Sequence, residues 1–135
     1  MEKKSGAFFP PDQSDLLYRL PFNVHTIVDI DHPDYKEFPG LRYAKGMSTL
    51  LEHGDTLFMP SGYWHHIEYV EGGFGLALRT IASSIPTFSR GIWNLSVLRT
   101  TDNICRKFND EKWFGYKKKV AYERAEKAIE KLKSA

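Results

Sequence analysis

The sequence contains a single cysteine, Cys105, among its 135 residues. One thiol excludes an internal disulfide and a cysteine-rich zinc site, and it gives no indication of an oxidising compartment, so we expect a cytoplasmic protein. The longest apolar run, at residues 74–78, is far too short to span a bilayer. The apolar stretch that precedes Pro10 is also too short for a signal-peptide core. These absences predict a soluble protein that has no membrane partner.

A strong excess of one charge is also missing, because 19 basic and 17 acidic side chains leave a net charge of +2. The lysines concentrate between residues 117 and 133, where Glu123, Glu126 and Glu130 alternate with them. Helix faces of mixed charge are usually solvated, so we expect no nucleic-acid partner. The chain does have apolar content, with 41% hydrophobic and 14% aromatic residues, which suffices for the core of one domain.

Composition divides the chain near residues 83–86 into a strand-and-turn region and a helical region. Proline, glycine and aspartate punctuate the first 46 residues, which we therefore interpret mostly as loops. Short apolar segments between turns then predict four strands, at residues 47–51, 56–59, 64–70 and 74–81. Tight turns between them imply an antiparallel sheet. The predicted class is mostly β plus α, with residues 1–82 as a β unit and residues 83–135 as a helical region.

Two helices are predicted in the second region, at residues 87–108 and 117–133, because apolar residues recur there with helical spacing. The second helix places Ala125 and Ile129 on one face and its charged residues elsewhere. Cys105 falls on the apolar side of the first helix, where we expect a buried thiol. Both apolar faces need a partner surface.

Residues 54–67 carry the most informative pattern in the chain. A glycine-aspartate turn opens the stretch, and Pro60 ends the first strand because proline cannot donate to a strand ladder. Serine and glycine then reverse the chain into the next strand. Since neighbouring residues on a strand face opposite sides, only one of His65 and His66 can enter a barrel interior.

The companions of each histidine indicate which one points inward. His65 shares its face with Ile67 and Tyr69, a set that contains no carboxylate, whereas His66 shares its face with Glu68. We therefore place His65 inside and His66 outside, although two large apolar residues on the His66 face favour the opposite orientation. Without the surrounding motif, His65 would be interpreted as a half-buried histidine satisfied by a backbone carbonyl.

Together with the segments before it, this stretch resembles the cupin-like JmjC-type dioxygenases, especially those related to the asparaginyl hydroxylase that acts on hypoxia-inducible factor. The matching upstream segments are Phe9-Pro10-Pro11-Asp12-Gln13, Leu17-Tyr18, Val28-Asp29, Pro33-Asp34-Tyr35 and Phe38-Pro39. The likeness covers most of residues 4–82. It implies the C-terminal half of a double-stranded β-helix of cupin or jelly-roll type, followed by the two helices.

The resemblance also implies a site. Members of the family hold Fe(II) through a His-x-Asp/Glu pair and one distal histidine, which leaves coordination positions open for 2-oxoglutarate and oxygen. His65 matches the distal histidine. Lys4 stands where the family has a lysine that pairs with a carboxylate of 2-oxoglutarate. Tyr69 and Arg79 are the residues expected to shape the pocket, and the implied cofactors are Fe(II) and 2-oxoglutarate.

Two features depart from the family pattern. The His-x-Asp pair lies upstream of the family's lysine, whereas only three residues precede Lys4 here. His32-Pro33-Asp34 does spell His-x-Asp, but it matches a connecting segment of the family, and a proline is unsuited to a barrel strand. Arg79 falls where the hydroxylase-like members carry a polar amide, and strand alternation points it inward. It either binds an acidic group or forms a salt bridge to a glutamate, Glu68 or Glu71.

These departures leave three hypotheses. A lone histidine holds no catalytic iron, so the first is a dioxygenase sequence that is inactive and without cofactor in this form, as a truncated or separated C-terminal half or a degenerate copy. The second is a non-catalytic cupin remnant that serves as a dimerisation or binding module. In the related hydroxylase C-terminal helices form a dimer interface, so we expect a homo-oligomer through these helices. The third is a cupin metal site that joins His65 to His25 or His53.

Overall fold

The computed structural model describes residues 3–69, 75–79 and 85–134 of the chain. These residues form three strands, β1 (Lys3–Phe9), β2 (Met47–Glu52) and β3 (Trp64–Tyr69), and two α-helices, α1 (Ile85–Ile92) and α2 (Arg99–Lys133). The π-helical segment Trp93–Leu98 joins the two α-helices, and short 3-10 helices lie at Pro11–Gln13 and Pro39–Arg42. The described part of the chain is therefore mixed β and α.

The three strands make one antiparallel sheet in the order β2-β1-β3. In the central strand, Phe8 lies opposite Met47 of β2 and opposite His65 of β3. The two predicted strands that flank it, residues 47–51 and 64–70, are present as β2 and β3. The sequence did not predict β1, because Phe8 and Phe9 are the only large apolar side chains in a strand otherwise built from lysine, serine, glycine and alanine.

The other two predicted strands differ from the structure. Residues 56–59 belong to no strand, and neither do residues 75–79, the described portion of the predicted strand 74–81. Phe58, Leu76 and Leu78 are between 84% and 88% exposed. Their apolar character suggested burial, but β1 occupies the positions beside β2 and β3 that we had assigned to these segments. Local sequence cannot reveal that competition, since strand pairing depends on residues far apart in the chain.

The main core lies between the loops of the first 42 residues and helix α2. Its buried members are Tyr18, Leu20, Phe38, Ala121 and Ala125. The ring of Tyr18 lies 5.0 Å from that of Phe38 and 5.0 Å from that of Tyr122. The Tyr18 hydroxyl also accepts a 3.0 Å hydrogen bond from the backbone N–H of Gly40. Segments predicted as loops therefore supply three of the five buried core residues, and the Tyr18 ring contacts both of the other aromatic rings.

Helix α2 has a sharp bend at Asn109, whose backbone is extended at φ −163° and ψ 92°. The Asn109 side chain accepts a 2.9 Å hydrogen bond from the backbone N–H of Lys112, as the first residue before a helix typically does. The helices differ in extent from those predicted. The first begins at Ile85 rather than at residue 87, and residues 110–116, which we expected to lie between the two helices, are helical. We call residues 99–108 the first arm of α2 and residues 110–133 the second arm.

The outer faces of the helices remain largely exposed. Ile85 is 83% and Phe108 85% exposed, and Cys105, which we expected to be buried, is only partly so. The second arm covers the core, whereas the first arm and α1 lack such a cover among the described residues. Within residues 3–69, 75–79 and 85–134, no helix combines the length and the apolar character needed to cross a membrane.

Candidate functional site

His65 lies on β3, an outer strand of the sheet, directly opposite Phe8. Paired residues in an antiparallel sheet point to the same side, so His65 shares one face with Phe8, Ile67 and Tyr69. We call this the His65 face. The imidazole is exposed, and its Nδ1 lies 3.5 Å from the carbonyl oxygen of Tyr63. The enclosed position expected for His65 is therefore not seen, because the described residues place no second sheet over this face.

The His65 face is nevertheless the better packed side of the sheet. Phe8 is 6% exposed, and Gly6 beside it is buried. A Cβ atom at Gly6 would lie 2.6 Å from the Phe8 ring, so glycine is required for that ring to lie along the strand. Ser48 and Glu68, on the opposite face, are both exposed. On the same face Ile67 is partly buried, whereas His65 and Tyr69 are exposed.

Lys4 lies on the same face by register. Its backbone pairs with Tyr69 of β3 and with Leu51 of β2, four positions along β1 from Phe8. A strand rises about 3.3 Å per residue, which separates the Lys4 and Phe8 positions by about 13 Å. The Lys4 side chain is outside the described part of the structure. Tyr69 is 55% exposed. The backbone thus brings three of the four predicted site positions, 4, 65 and 69, to one face.

Arg79 is the fourth predicted position, and the structure does not join it to the others. It is exposed and lies in a segment outside the sheet, so the inward orientation predicted from strand alternation is wrong. The reason is that alternation applies only to a paired strand, and residues 75–79 have no strand partner in the described structure. Glu71, one of the two glutamates expected beside Arg79, falls outside the described residues.

The segment His32-Pro33-Asp34 forms a turn away from the sheet. One Asp34 carboxylate oxygen accepts hydrogen bonds from the backbone N–H groups of Lys36 at 2.8 Å and Glu37 at 3.1 Å. These bonds lower the pKa of the Asp34 carboxyl from its ordinary value. The carboxylate therefore serves to close a turn, in agreement with the interpretation of this His-x-Asp string as a decoy.

The second histidine of the motif, His66, has a partner on the opposite face. Its Nε2 lies 2.8 Å from a carboxylate oxygen of Asp31, and both side chains are about two-fifths exposed. Nearby, Asp29 accepts hydrogen bonds from the backbone N–H groups of His32 and Asp31, which lower the pKa of the Asp29 carboxyl. The His66–Asp31 contact ties β3 to this loop. His66 is thus exposed and is held to a loop residue.

The described residues do not assemble a metal site by themselves. Residues 3–69, 75–79 and 85–134 contain no group of three or more histidine, cysteine, aspartate or glutamate side chains able to hold a metal ion. His25 and His53 are both exposed and do not join His65 in such a group. One imidazole is too few for a ferrous centre, which in oxygenases takes three protein ligands. We therefore derive no iron chemistry from these residues alone.

The most deeply buried charges lie in α2 and were not predicted. Asp102 accepts hydrogen bonds from the Lys117 ammonium at 2.7 Å and the Trp113 indole at 2.8 Å. Burial raises the pKa of the Asp102 carboxyl, but these two donors outweigh it, so the pKa is lowered overall. We had assigned Lys117 to a solvated basic face, yet it is 3% exposed. The sequence does not signal this contact, because aspartate and lysine are usually exposed.

A second polar cluster fixes the second arm to the loops. Glu37 accepts 3.0 Å hydrogen bonds from the Lys118 ammonium and the Tyr122 hydroxyl. These donors, which lie one turn apart on the helix, lower the pKa of the Glu37 carboxyl. Burial together with this carboxylate raises the pKa of Tyr122 to about 12. The cluster is structural, because both donors are satisfied by the same oxygen.

Two shallow depressions lie elsewhere. One, of about 300 Å³, is inside the bend of α2 and is lined by Cys105, Phe108, Asn109, Lys112 and Trp113. The other, of about 620 Å³, surrounds the His32 turn and is lined by residues 32–36 and Arg42. Neither reaches the sheet.

Comparison with known proteins gives a consistent result. Residues 3–82 match the profile of the cupin-like domain. The chain is 32% identical over 74 residues to HSPB1-associated protein 1 of Homo sapiens, covering 51% of this chain and 15% of that protein. It is 30% identical over 84 residues to tRNA wybutosine-synthesizing protein 5 of Gallus gallus, covering 62% of this chain and 26% of that protein. It is also 30% identical over 79 residues to JmjC domain-containing protein D of Dictyostelium discoideum, covering 55% of this chain and 17% of that protein. The chain thus spans at most about a quarter of these relatives.

Proposed function

The chain belongs to the cupin-like domain family, and we propose that it carries the cosubstrate-binding and third-ligand half of an Fe(II)- and 2-oxoglutarate-dependent oxygenase site. In this proposal His65 is the distal iron ligand in the complete fold. Lys4 pairs with the far carboxylate of 2-oxoglutarate, and Tyr69 lines the same pocket. The similarity to JmjC-type relatives supports an oxygenase of this general type.

The observation that carries the proposal is the register of the sheet. Positions 4, 65 and 69 share one face, with the buried Phe8 opposite His65 at one end and Lys4 opposite Tyr69 at the other. The separation of about 13 Å between the Lys4 and Phe8 positions suits an extended dicarboxylate that reaches from a metal near His65 toward a lysine stem. An ammonium at the far end gives the anionic cosubstrate a charged partner.

We further propose that residues 1–135 do not turn over 2-oxoglutarate on their own. His65 supplies one ligand, and the described residues form no group of three or more ligand-type side chains with it. The remaining two ligands belong to the part of the family's fold that this chain does not cover. A cytoplasmic location, which the single cysteine favours, is part of the same proposal.

Binding of the cosubstrate tests the proposed half-site without requiring turnover. We expect 2-oxoglutarate, added at millimolar concentration to the isotope-labelled chain, to shift the backbone amide resonances of Leu51 and Tyr69 in NMR spectra. Lys4→Ala should abolish the shifts. Lys3→Ala is the matched control, because position 3 lies next in sequence but on the opposite face, and it should preserve them. Shifts that survive Lys4→Ala, or that appear only on the opposite face, contradict the proposal.

A second function, as a self-association module, is favoured by the helical region. Phe88 and Ile92 lie one helical turn apart on α1, and both are about half exposed, as is Ile104 on the first arm. Exposed apolar side chains arranged on one helix mark association surfaces. We expect the purified chain to form a homodimer in light scattering, and Phe88→Glu to yield the monomer. A wild-type chain that stays monomeric at high concentration contradicts this function.

The substrate is not part of the proposal. The names of the relatives mention different molecules, HSPB1 in one and tRNA in another. Proteins that share a fold routinely differ in substrate, because specificity is determined by loops and surfaces outside the common scaffold.

A further inference from the structure

The bend in α2 brings together residues that a straight helix would hold apart. Asp102 and Lys117 are 15 positions apart, which corresponds to about 22 Å along a straight α-helix. In the structure the ammonium and the carboxylate are 2.7 Å apart. The extended backbone at Asn109 is the only described interruption of α2 between them. The two arms therefore fold against each other at this residue.

The contact between the arms differs from an ordinary surface ion pair. The side chains of Lys117 and Asp102 are 4% and 8% exposed, and Trp113 donates to the same carboxylate oxygen that Lys117 contacts. A buried ion pair contributes little net stability, but the loss of one partner leaves an uncompensated charge in the interior. Such pairs are best known for specifying one arrangement of helices over another. Straightening the helix would separate Asp102 from Lys117 and Trp113.

A second ion pair spans the same bend, but its side chains are exposed. Arg106 on the first arm lies 3.0 Å from Asp110 on the second, and these side chains are 54% and 65% exposed. Exposed pairs at this spacing contribute little to helix geometry. Both ion pairs span the extended backbone at Asn109, and one is buried while the other is exposed. Breaking each pair in turn therefore separates the effect of a buried charge on the bend from the effect of charge alone.

The contact also links the helical region to the loops. The Trp113 ring lies 5.4 Å from the Phe22 ring, and Phe22 has an unusual positive φ of 61°. The second arm is fixed to Glu37 through Lys118 and Tyr122. The second arm is thus tied to the core, and the angle at Asn109 determines where residues 85–108 lie relative to it.

We propose that Asn109 is a hinge and that Asp102, Lys117 and Trp113 form the latch that holds it bent. Loss of either charged partner opens the two arms, and Cys105, which is partly buried where it lines the depression beside Trp113, becomes more accessible. The latch therefore controls the angle between the two arms of α2.

Electron spin resonance distance measurement tests this directly. Spin labels are placed on cysteines introduced at Thr100 and Lys127, both exposed, in a Cys105→Ala background. A straight helix would separate these positions by about 40 Å, and the bent form holds them markedly closer. We expect the short distance in the otherwise unaltered protein. Asp102→Leu and Lys117→Met should each lengthen it, since each leaves one buried charge unpaired.

Two further variants make the result specific. The double variant Asp102→Leu with Lys117→Met removes both charges and should return the distance toward the short value. Asp110→Asn breaks the exposed pair across the same hinge and should leave the distance unchanged. A short distance in both single latch variants, or a double variant as open as the single ones, overturns the proposal. Circular dichroism confirms that each variant retains its helix content.

Thiol reactivity gives an independent measurement in the native sequence, because Cys105 is the only cysteine. We expect an aromatic disulfide reagent to modify Cys105 several-fold faster in Lys117→Met than in the wild-type chain. The Asp110→Asn control should react at the wild-type rate. An equal rate in all three proteins contradicts opening of the bend.

Discussion

The sheet and the loop-helix core of this protein differ in what they contain. The sheet carries the residues of the proposed site, with His65 on an outer strand and one buried aromatic ring, Phe8, beside it. The core contains Tyr18 and Phe38, both buried, and the alanine stripe of the second arm, but no residue of the proposed site. The region that carries the proposed site is thus separate from the region that stabilises the described fold.

This separation indicates how the two regions should respond to mutation. Changes in the core should lower the free energy of unfolding strongly, because close-packed interiors tolerate little loss of volume. Changes on the His65 face should affect ligand binding with little effect on stability. The predictions below test this contrast, beginning with the largest expected effect.

Two phenylalanine truncations provide the most direct contrast. Phe38 is 8% exposed and contacts the rings of Tyr18 and Tyr122, whereas Phe58 is 85% exposed. We expect Phe38→Ala to lower the free energy of unfolding by about 3–5 kcal/mol. Phe58→Ala should change it by no more than about 0.5 kcal/mol. Urea denaturation followed by circular dichroism measures both, and equal losses would show that the core has been misassigned.

Two glycine substitutions should act in opposite directions. A Cβ atom added at Gly6 would lie 2.6 Å from the Phe8 ring. A Cβ atom added at Gly115 in α2 would have no neighbouring atom within 4 Å. We expect Gly6→Ala to destabilise by about 1–3 kcal/mol through overpacking. Gly115→Ala should stabilise by about 0.5–1 kcal/mol because alanine favours helix. Thermal melts provide the comparison, and a neutral Gly6→Ala would count against the packing of the His65 face.

Acid should weaken the contact between the arms of α2. The pKa of Asp102 is lowered from 3.8, so its ionised form stabilises the folded chain above that value, and this contribution disappears as the pH falls through the folded-state pKa. In Asp102→Asn the titration is absent. Its free energy of unfolding should therefore fall less steeply than that of the wild type between pH 5 and pH 2. Parallel slopes in denaturation series would show that Asp102 does not titrate as described.

The sequence predicted the parts of the fold that depend on local pattern. The turns around residues 54–67 and the strands β2 and β3 follow from proline, glycine and alternation, and the helical spacing after residue 85 is equally local. The central strand β1 was missed because its pairing joins residues 39 or more positions apart. Residues 56–59 and residues 75–79, the described part of the predicted strand 74–81, were apolar enough for burial, but β1 occupies the positions beside β2 and β3.

The candidate site was predictable to a similar extent. The alternation of His65 and His66 is a local property, and Lys4 followed from resemblance to the family. Arg79 was not predictable, because its orientation depends on a strand that the described structure lacks. The buried Asp102–Lys117 pair was missed for a related reason. A lysine in a basic stretch is normally solvated, and only the bend at Asn109 brings Lys117 to an acidic partner.

Succinate release from 2-oxoglutarate in the presence of Fe(II) tests most directly the claim that His65 is one ligand of an incomplete site. The wild-type chain, His65→Ala and the matched control His66→Ala are compared, since the two histidines are adjacent but face opposite sides of the sheet. We expect the same background rate in all three proteins. Release by the wild type and His66→Ala that disappears in His65→Ala would show a complete site and contradict this claim.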